Sequence, residues 1–171
     1  MGKLIKNLHE ISDNFKYKHN GIEIPDKNEE YYFYQILLAE SPEYWDGTFI
    51  ERVTGQMIKA VREAEIHTSW NFPDHDYEGH LKIFIERAIK SDTFKSIYMP
   101  FYRSLEYYGN LYSIMQNILK IMSPGIPDIY QGSEYLNNNF TDPDNRRSVN
   151  FGNLMKILNK IKKLIIYMNV I

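Results

Sequence analysis

Only one run in this chain, Ile126-Pro-Asp-Ile-Tyr130, reads as a β-strand: it is short, apolar and β-branched, is entered from Pro124-Gly125 and is left through Gln131-Gly132. A strand without ladder partners leaves its backbone N–H and C=O groups unpaired, which is costly wherever they are buried. The chain therefore cannot build a sheet around this run from its own residues. The remainder must fold as helices, and the partners of the strand are expected on other polypeptide.

Helical spacing fills most of the remaining sequence. Leu4, Leu8, Ile11 and Phe15 recur on one face of a first helix, with Asn20-Gly21 as its stop. Asp26 followed by Glu29 predicts a capping-box start for an aromatic-rich helix over Tyr31 to Glu40, with Tyr34 and Leu38 facing inward. Asp46 is expected to cap a third helix through Phe49, Val53, Met57, Ala60 and Ala64, and Asp74 a fourth through Leu81, Ile85 and Ile89. Ser91 or Asp92 begins a longer segment that Pro100 is expected to bend or split before Leu105 to Met122. A last amphipathic helix, Phe151 to Tyr167, sets Leu154, Ile157, Leu158, Ile161 and Ile165 against Lys156, Lys160, Lys162 and Lys163. Those lysines suit a solvated helix face better than a phosphate or nucleic-acid site.

With 171 residues, one compact domain is the expectation, read as a helical region (1–122), a strand and polar loop region (123–150) and a C-terminal helix (151–171). A net charge of -2 gives no drive toward nucleic acid or an anionic membrane. The absence of cysteine rules out disulfides and thiolate metal sites and fits a reducing, cytoplasmic setting. The first residues lack an apolar core of signal-peptide length, and the run Leu164 to Ile171 is too short to span a bilayer, so neither export nor membrane insertion is expected.

Four strings narrow the reading. Gly125-Ile-Pro-Asp-Ile-Tyr-Gln-Gly-Ser-Glu134 resembles the eighth barrel strand of the α-amylase-like glycoside hydrolases. Asp26-Lys-Asn-Glu-Glu-Tyr31 with Tyr34-Gln35, Arg62-Glu-Ala-Glu-Ile-His-Thr-Ser-Trp70 and Asp142-Pro-Asp-Asn-Arg-Arg147 resemble, in that order and at similar spacing, the maltooligosyl trehalose synthases. The resemblance runs from about Leu8 to Phe151, and its most specific part is the Asp-Pro-Asp-Asn-Arg string. It implies a helical insertion beside a (β/α)8 barrel, with Leu105 to Met122 as the helix before the last strand. The expected fold is thus mainly α, an assembly of about six or seven helices with one short strand derived from the last barrel strand, and not a complete barrel.

The resemblance also implies a chemistry: intramolecular transglucosylation that turns the reducing-end α-1,4 link of a maltooligosaccharide into an α,α-1,1 link. Such enzymes use an Asp nucleophile, a Glu acid/base and a second Asp that stabilises the oxocarbenium-like transition state. In the family all of these precede the matching stretch, the last of them in a His-Asp motif. His75-Asp76 falls after the Thr-Ser-Trp string, out of order for that motif, so no catalytic residue is assigned here.

Substrate contacts are expected from Tyr130, Gln131, Glu134, Asp142, Asp144, Asn145 and Arg146, on the strand and the loop after it, where barrel enzymes place their site residues. Asp142 and Asp144 also suit a plain Asp-Pro turn, with Arg146 or Arg147 paired to Glu134. The chain has Ser148-Val149-Asn150 where the family continues with Pro-Val-Asp. Trp70 is a candidate for stacking on a sugar face, although a buried anchor of an interhelical loop is the commoner use of such a residue. His67, Asp74, His75, Asp76 and His80 contain no His pair at i, i+4, so neither a metal nor a cofactor is expected.

The resulting expectation is a part or truncated homologue of such a synthase, inactive alone. The alternatives are a subunit completed by an upstream synthase polypeptide, and a non-catalytic protein that binds maltooligosaccharide or forms homo-oligomers. No nucleic-acid or membrane partner is expected.

Overall fold

The computed structural model describes residues 2–19, 21–42, 44–130, 132–133 and 135–168. Six α-helices carry it: α1 (Gly2–Ser12), α2 (Lys27–Ala39), α3 (Gly47–Ala64), α4 (His75–Lys90), α5 (Asp92–Met122) and α6 (Phe151–Met168). Two three-residue strands, β1 (Tyr17–His19) and β2 (Ile22–Ile24), pair antiparallel between α1 and α2, and a 3-10 turn spans Asp144–Arg146. The fold is mainly α and is not a closed barrel, as expected.

The helix starts follow local chemistry. Asp26 accepts N–H bonds from Asn28 and Glu29 at 2.8 Å each, while the Glu29 carboxylate accepts the Asp26 N–H at 3.1 Å, completing a capping box for α2. Asp46 caps α3 through the Phe49 N–H and Asp74 caps α4 through the Tyr77 N–H, each at 2.9 Å. Ser91, rather than Asp92, caps α5 by accepting from the Phe94 N–H at 3.1 Å. At the end of α3, Glu65 takes the left-handed conformation, φ 55°, that closes a helix.

Three expectations need correction. Ile126 to Tyr130 forms no strand: no ladder partner exists for it among the described residues, and Ile126 is fully open to solvent. Asn20-Gly21 does not end α1. That helix stops at Ser12, tightening through Asn14 N–H to Ile11 C=O and Phe15 N–H to Ser12 C=O, and Gly21 at φ 80° lies in the connection between β1 and β2. Nor does Pro100 split α5, which continues through it for 31 residues.

The backbone groups into two compact units, Met1–Tyr108 with Asn138–Asn145, and Gly109–Asn137 with Arg146–Ile171; α5 runs through the boundary. The first unit holds the core. Phe33 and Leu37 of α2, Phe49, Val53 and Met57 of α3, Leu81, Phe84 and Ile85 of α4, and Phe94 and Tyr98 of α5 are all at most 1% exposed. Phe33 meets Phe84 edge-on at 5.4 Å between centroids and lies 6.2 Å from Phe94, so one ring ties α2 to α4 and α5. Tyr34 is buried as expected, with Leu38 partly buried beside it. In the second unit no described apolar side chain is buried, and Gly132 at φ 77° packs against Val149 and Leu154.

Candidate functional site

Arg52, Gln56 and Lys59 recur at i, i+4 and i+7 along α3 and so form one stripe on that helix. The loop 138–145 lies along it. Arg52 donates from Nε to Asp144 Oδ1 and from Nη2 to Asp144 Oδ2, both at 2.8 Å. The same guanidinium donates to both oxygens of Glu40, at the C-cap of α2, the Nη1 bond being 2.5 Å long. Gln56 Oε1 accepts the Thr141 hydroxyl at 3.1 Å and its Nε2 donates to Tyr32 Oη at 3.1 Å. Lys59 Nζ donates to the Asp142 carbonyl at 2.6 Å.

The loop closes on itself over this stripe. Asp144 Oδ2 accepts the Phe140 N–H at 2.7 Å, and the Phe140 ring, 7% exposed, sits 5.1 Å beneath the Arg52 guanidinium. Burial works against the charge of Arg52, yet the hydrogen bonds and charges of Asp144 and Glu40 outweigh it and hold the guanidinium above its ordinary value.

Asp142 and Asn145 of the loop are exposed, while Asp144 is turned onto α3. Arg146, which completes the 3-10 turn, and Tyr130 are also exposed; both belong to the second unit. Gln131 and Glu134 lie outside the described residues, and with them the alternative pairing of Glu134 with an arginine. The sequence reading missed Arg52, Glu40, Gln56 and Lys59. Only the i, i+4, i+7 recurrence of polar groups signalled Arg52, Gln56 and Lys59, a pattern that equally describes a solvated face, and nothing local signalled Glu40 at the end of α2.

Trp70 stands apart from this loop, on a second network. Arg62 donates to both oxygens of Glu78 at 2.7 Å, and Thr68 Oγ1 donates to Glu78 at 2.8 Å while accepting the Asp74 N–H at 2.9 Å. The guanidinium so fixed lies 4.9 Å from the Trp70 ring, which is 55% exposed. The buried-anchor expectation is therefore wrong for Trp70: the cation covers one face of the indole and solvent reaches the rest.

Two groups of His and carboxylate side chains converge closely enough to consider as ligands: His9, Asp13 and Glu30, and Asp26, Glu29 and His67. In the first, Lys16 Nζ lies 2.8 Å from both Asp13 and Glu30, so an ammonium already supplies the positive charge. In the second, the capping box and the Tyr77 hydroxyl engage Glu29, and His67 Nε2 sits 3.0 Å from Asp26. Neither offers a cation an open donor set. His75, by contrast, is 80% exposed and His80 stacks on Tyr17 at 3.6 Å.

No family model matches the chain. A curated protein of Mycobacterium tuberculosis described as a maltooligosyl trehalose synthase is 34% identical over 98 residues, covering 55% of this chain and 12% of its own length. A solved maltooligosyl trehalose synthase superposes with a TM-score of 0.81 at 36% identity, covering 92% of this chain and 21% of that one. A solved glycosyltrehalose synthase, DSM5389, gives 0.80 at 37% identity over 92% and 20%. A hypothetical maltooligosyl trehalose synthase of Sulfolobus tokodaii gives 0.76 at 34% identity over 86% and 20%. The likeness to the solved structures thus spans 86% to 92% of this chain and only about a fifth of each of them. Over that stretch, in sequence and in backbone, the chain is similar to the maltooligosyl trehalose synthases.

Proposed function

We propose that this polypeptide serves as the helical and sugar-loop part of a maltooligosyl trehalose synthase, in the cytoplasm, and is inactive by itself. The reaction is intramolecular transglucosylation of a maltooligosaccharide to a terminal α,α-1,1 trehalose unit. Its nucleophile, acid/base and stabilising carboxylate would come from polypeptide outside these 171 residues. The observation that carries this reading is the match to synthases over 92% of this chain and only 21% of a solved relative.

The contribution of this part is binding. Asp142 and Asn145 offer acceptors, and Asn145 and Arg146 donors, of the kind that bracket vicinal sugar hydroxyls. Asp144 serves the same loop by holding its shape. Tyr130, Gln131 and Glu134 are further candidates for sugar contact, and Trp70 offers an exposed aromatic face for stacking. Leu111, Ile114, Met115, Ile118, Leu119, Ile121 and Met122 of α5 are 43% to 77% exposed, which supports a complementing synthase polypeptide as the partner that covers this helix.

The test is an assay for non-reducing sugar formed from maltopentaose, with the purified chain alone and mixed with a polypeptide carrying the preceding barrel strands of a synthase. Turnover is expected only in the mixture and is lost with Arg146→Ala. Turnover by the chain alone overturns the reading, as does a stable mixed complex that binds maltopentaose no better than either component. The same exposed apolar row also suits pairing of two copies, which sedimentation velocity of the chain alone would reveal as a dimer.

A further inference from the structure

We propose that Arg52 is the positioning residue of the sugar loop: it fixes Asp142 and Asn145 for an oligosaccharide by clamping the loop 138–145 to helix α3. This rests on the glucan-binding reading above and adds the residue on which that binding depends.

A turn with exposed polar tips would sample many conformations, and ordering it at the moment of binding would reduce affinity. Here the ordering is done beforehand, with one side chain at its centre. Arg52 holds both oxygens of Asp144 at 2.8 Å and both oxygens of Glu40, and covers the Phe140 ring at 5.1 Å. It thereby joins α3, the end of α2 and both ends of the loop's Phe140–Asp144 segment. Gln56 and Lys59 add one neutral contact and one backbone contact along the same stripe. Only Arg52 supplies a planar fork that can satisfy two carboxylates in fixed directions, so lysine is a poor replacement.

The interaction also sets which carboxylate faces the ligand. Asp142 is an exposed residue that engages α3 through its backbone carbonyl, whereas Asp144 engages through its side chain. Two Asp residues two positions apart thus take a surface role and an anchoring role, and Arg52 holds the anchoring one.

The experiment uses the full chain labelled with nitrogen-15. Amide exchange is read at Phe140, Asp144 and Asn145, with Val53 and Met57 of α3 as internal references, and maltopentaose is titrated into the same samples. Arg52→Met alone strands two carboxylates, so Glu40→Gln with Arg52→Met is prepared beside it to keep the helices folded. Both variants, and Arg52→Lys to a smaller degree, are expected to lose about tenfold or more in Phe140 amide protection while the Val53 and Met57 amides hold. Maltopentaose affinity is expected to fall by about tenfold in parallel.

Unchanged Phe140 protection in the folded double variant overturns the clamp. Loss of protection with affinity unchanged overturns the positioning role and leaves a structural contact. Equal loss at Val53 and Met57 overturns it as well, because Arg52 would then support the whole unit. If the unmodified chain ignores maltopentaose, the glucan reading fails, and the exchange at Phe140 still decides whether the clamp exists.

Discussion

Replacing Lys16 by Met removes the cation from a buried cluster of charges. The Lys16 and Glu30 side chains are each 3% exposed, with Nζ 2.8 Å from a Glu30 oxygen and 2.8 Å from Asp13. Breaking such a pair from one side leaves an uncompensated buried carboxylate and costs about 3–5 kcal/mol. Glu30 would keep the Tyr34 hydroxyl at 2.5 Å and His9 Nδ1 at 2.9 Å, which argues for the lower end, about 3 kcal/mol. For a unit of this size that corresponds to a fall of about 10 °C in Tm.

Lys16→Met combined with Glu30→Gln removes both charges, so the double variant should recover at least about 1.5 kcal/mol relative to the sum of the single changes. Urea unfolding followed by circular dichroism at 222 nm, over the four proteins of the cycle, measures this coupling. Burial lowers the Lys16 value, but Asp13 and Glu30 outweigh it, and the ammonium is held above its ordinary 10.5. A raised base contributes stability below its unfolded value and loses it as pH rises through the folded one. The Lys16→Met penalty should therefore be level from about pH 6 to 9 and shrink only above about pH 10. A penalty under about 1 kcal/mol, the behaviour of a solvated surface pair, or strict additivity in the cycle, would refute the reasoning.

Other outcomes follow from the same structure. The Arg62 hydrogen bond, opposed by burial and helped by Thr68, holds Glu78 below its ordinary 4.5; the stability it contributes is present above that value and lost as pH falls through the folded one, so Glu78→Gln should flatten the acid limb of the urea midpoint between about pH 5 and 3. Asp46→Ala should cost about 1 kcal/mol through the lost cap on α3, seen in the same unfolding curves. Phe84→Ala, at a fully buried ring, should cost about 3–5 kcal/mol and bring the unit near its unfolding threshold at room temperature. Trp70→Phe should shift tryptophan emission to shorter wavelength, because it leaves the partly buried Trp45 as the remaining indole.

What the sequence made legible was chemistry that acts within a few residues. Asp26, Asp46 and Asp74 cap helices because each needs only the N–H groups two or three positions ahead. Pro100 was misread because propensity counts only the hydrogen bond it removes, whereas Phe94, Tyr98 and Tyr102 bury one face of α5 on both sides of it and hold the helix. The hairpin escaped because strands of three residues are too short to display alternation. The loop's partner was the least visible: Arg52 and Asp144 are 92 positions apart, and nothing local joins them. The family resemblance located the loop but not what it leans on, since the motif contains one end of the ion pair only.

Helix α5 carries a thermodynamic consequence. Its first half is fixed by Phe94, Tyr98 and Tyr102, while between Gly109 and Met122 it buries no apolar residue, and none of the described side chains of α6 is buried. The heat-capacity increment of unfolding arises from apolar surface passing into water, and the second unit has little left to expose. Calorimetry on the whole chain should accordingly return about 1.5 kcal/mol/K, the increment proper to the hundred-odd residues of the first unit, in place of about 2.3 kcal/mol/K for a fully cored chain of this length.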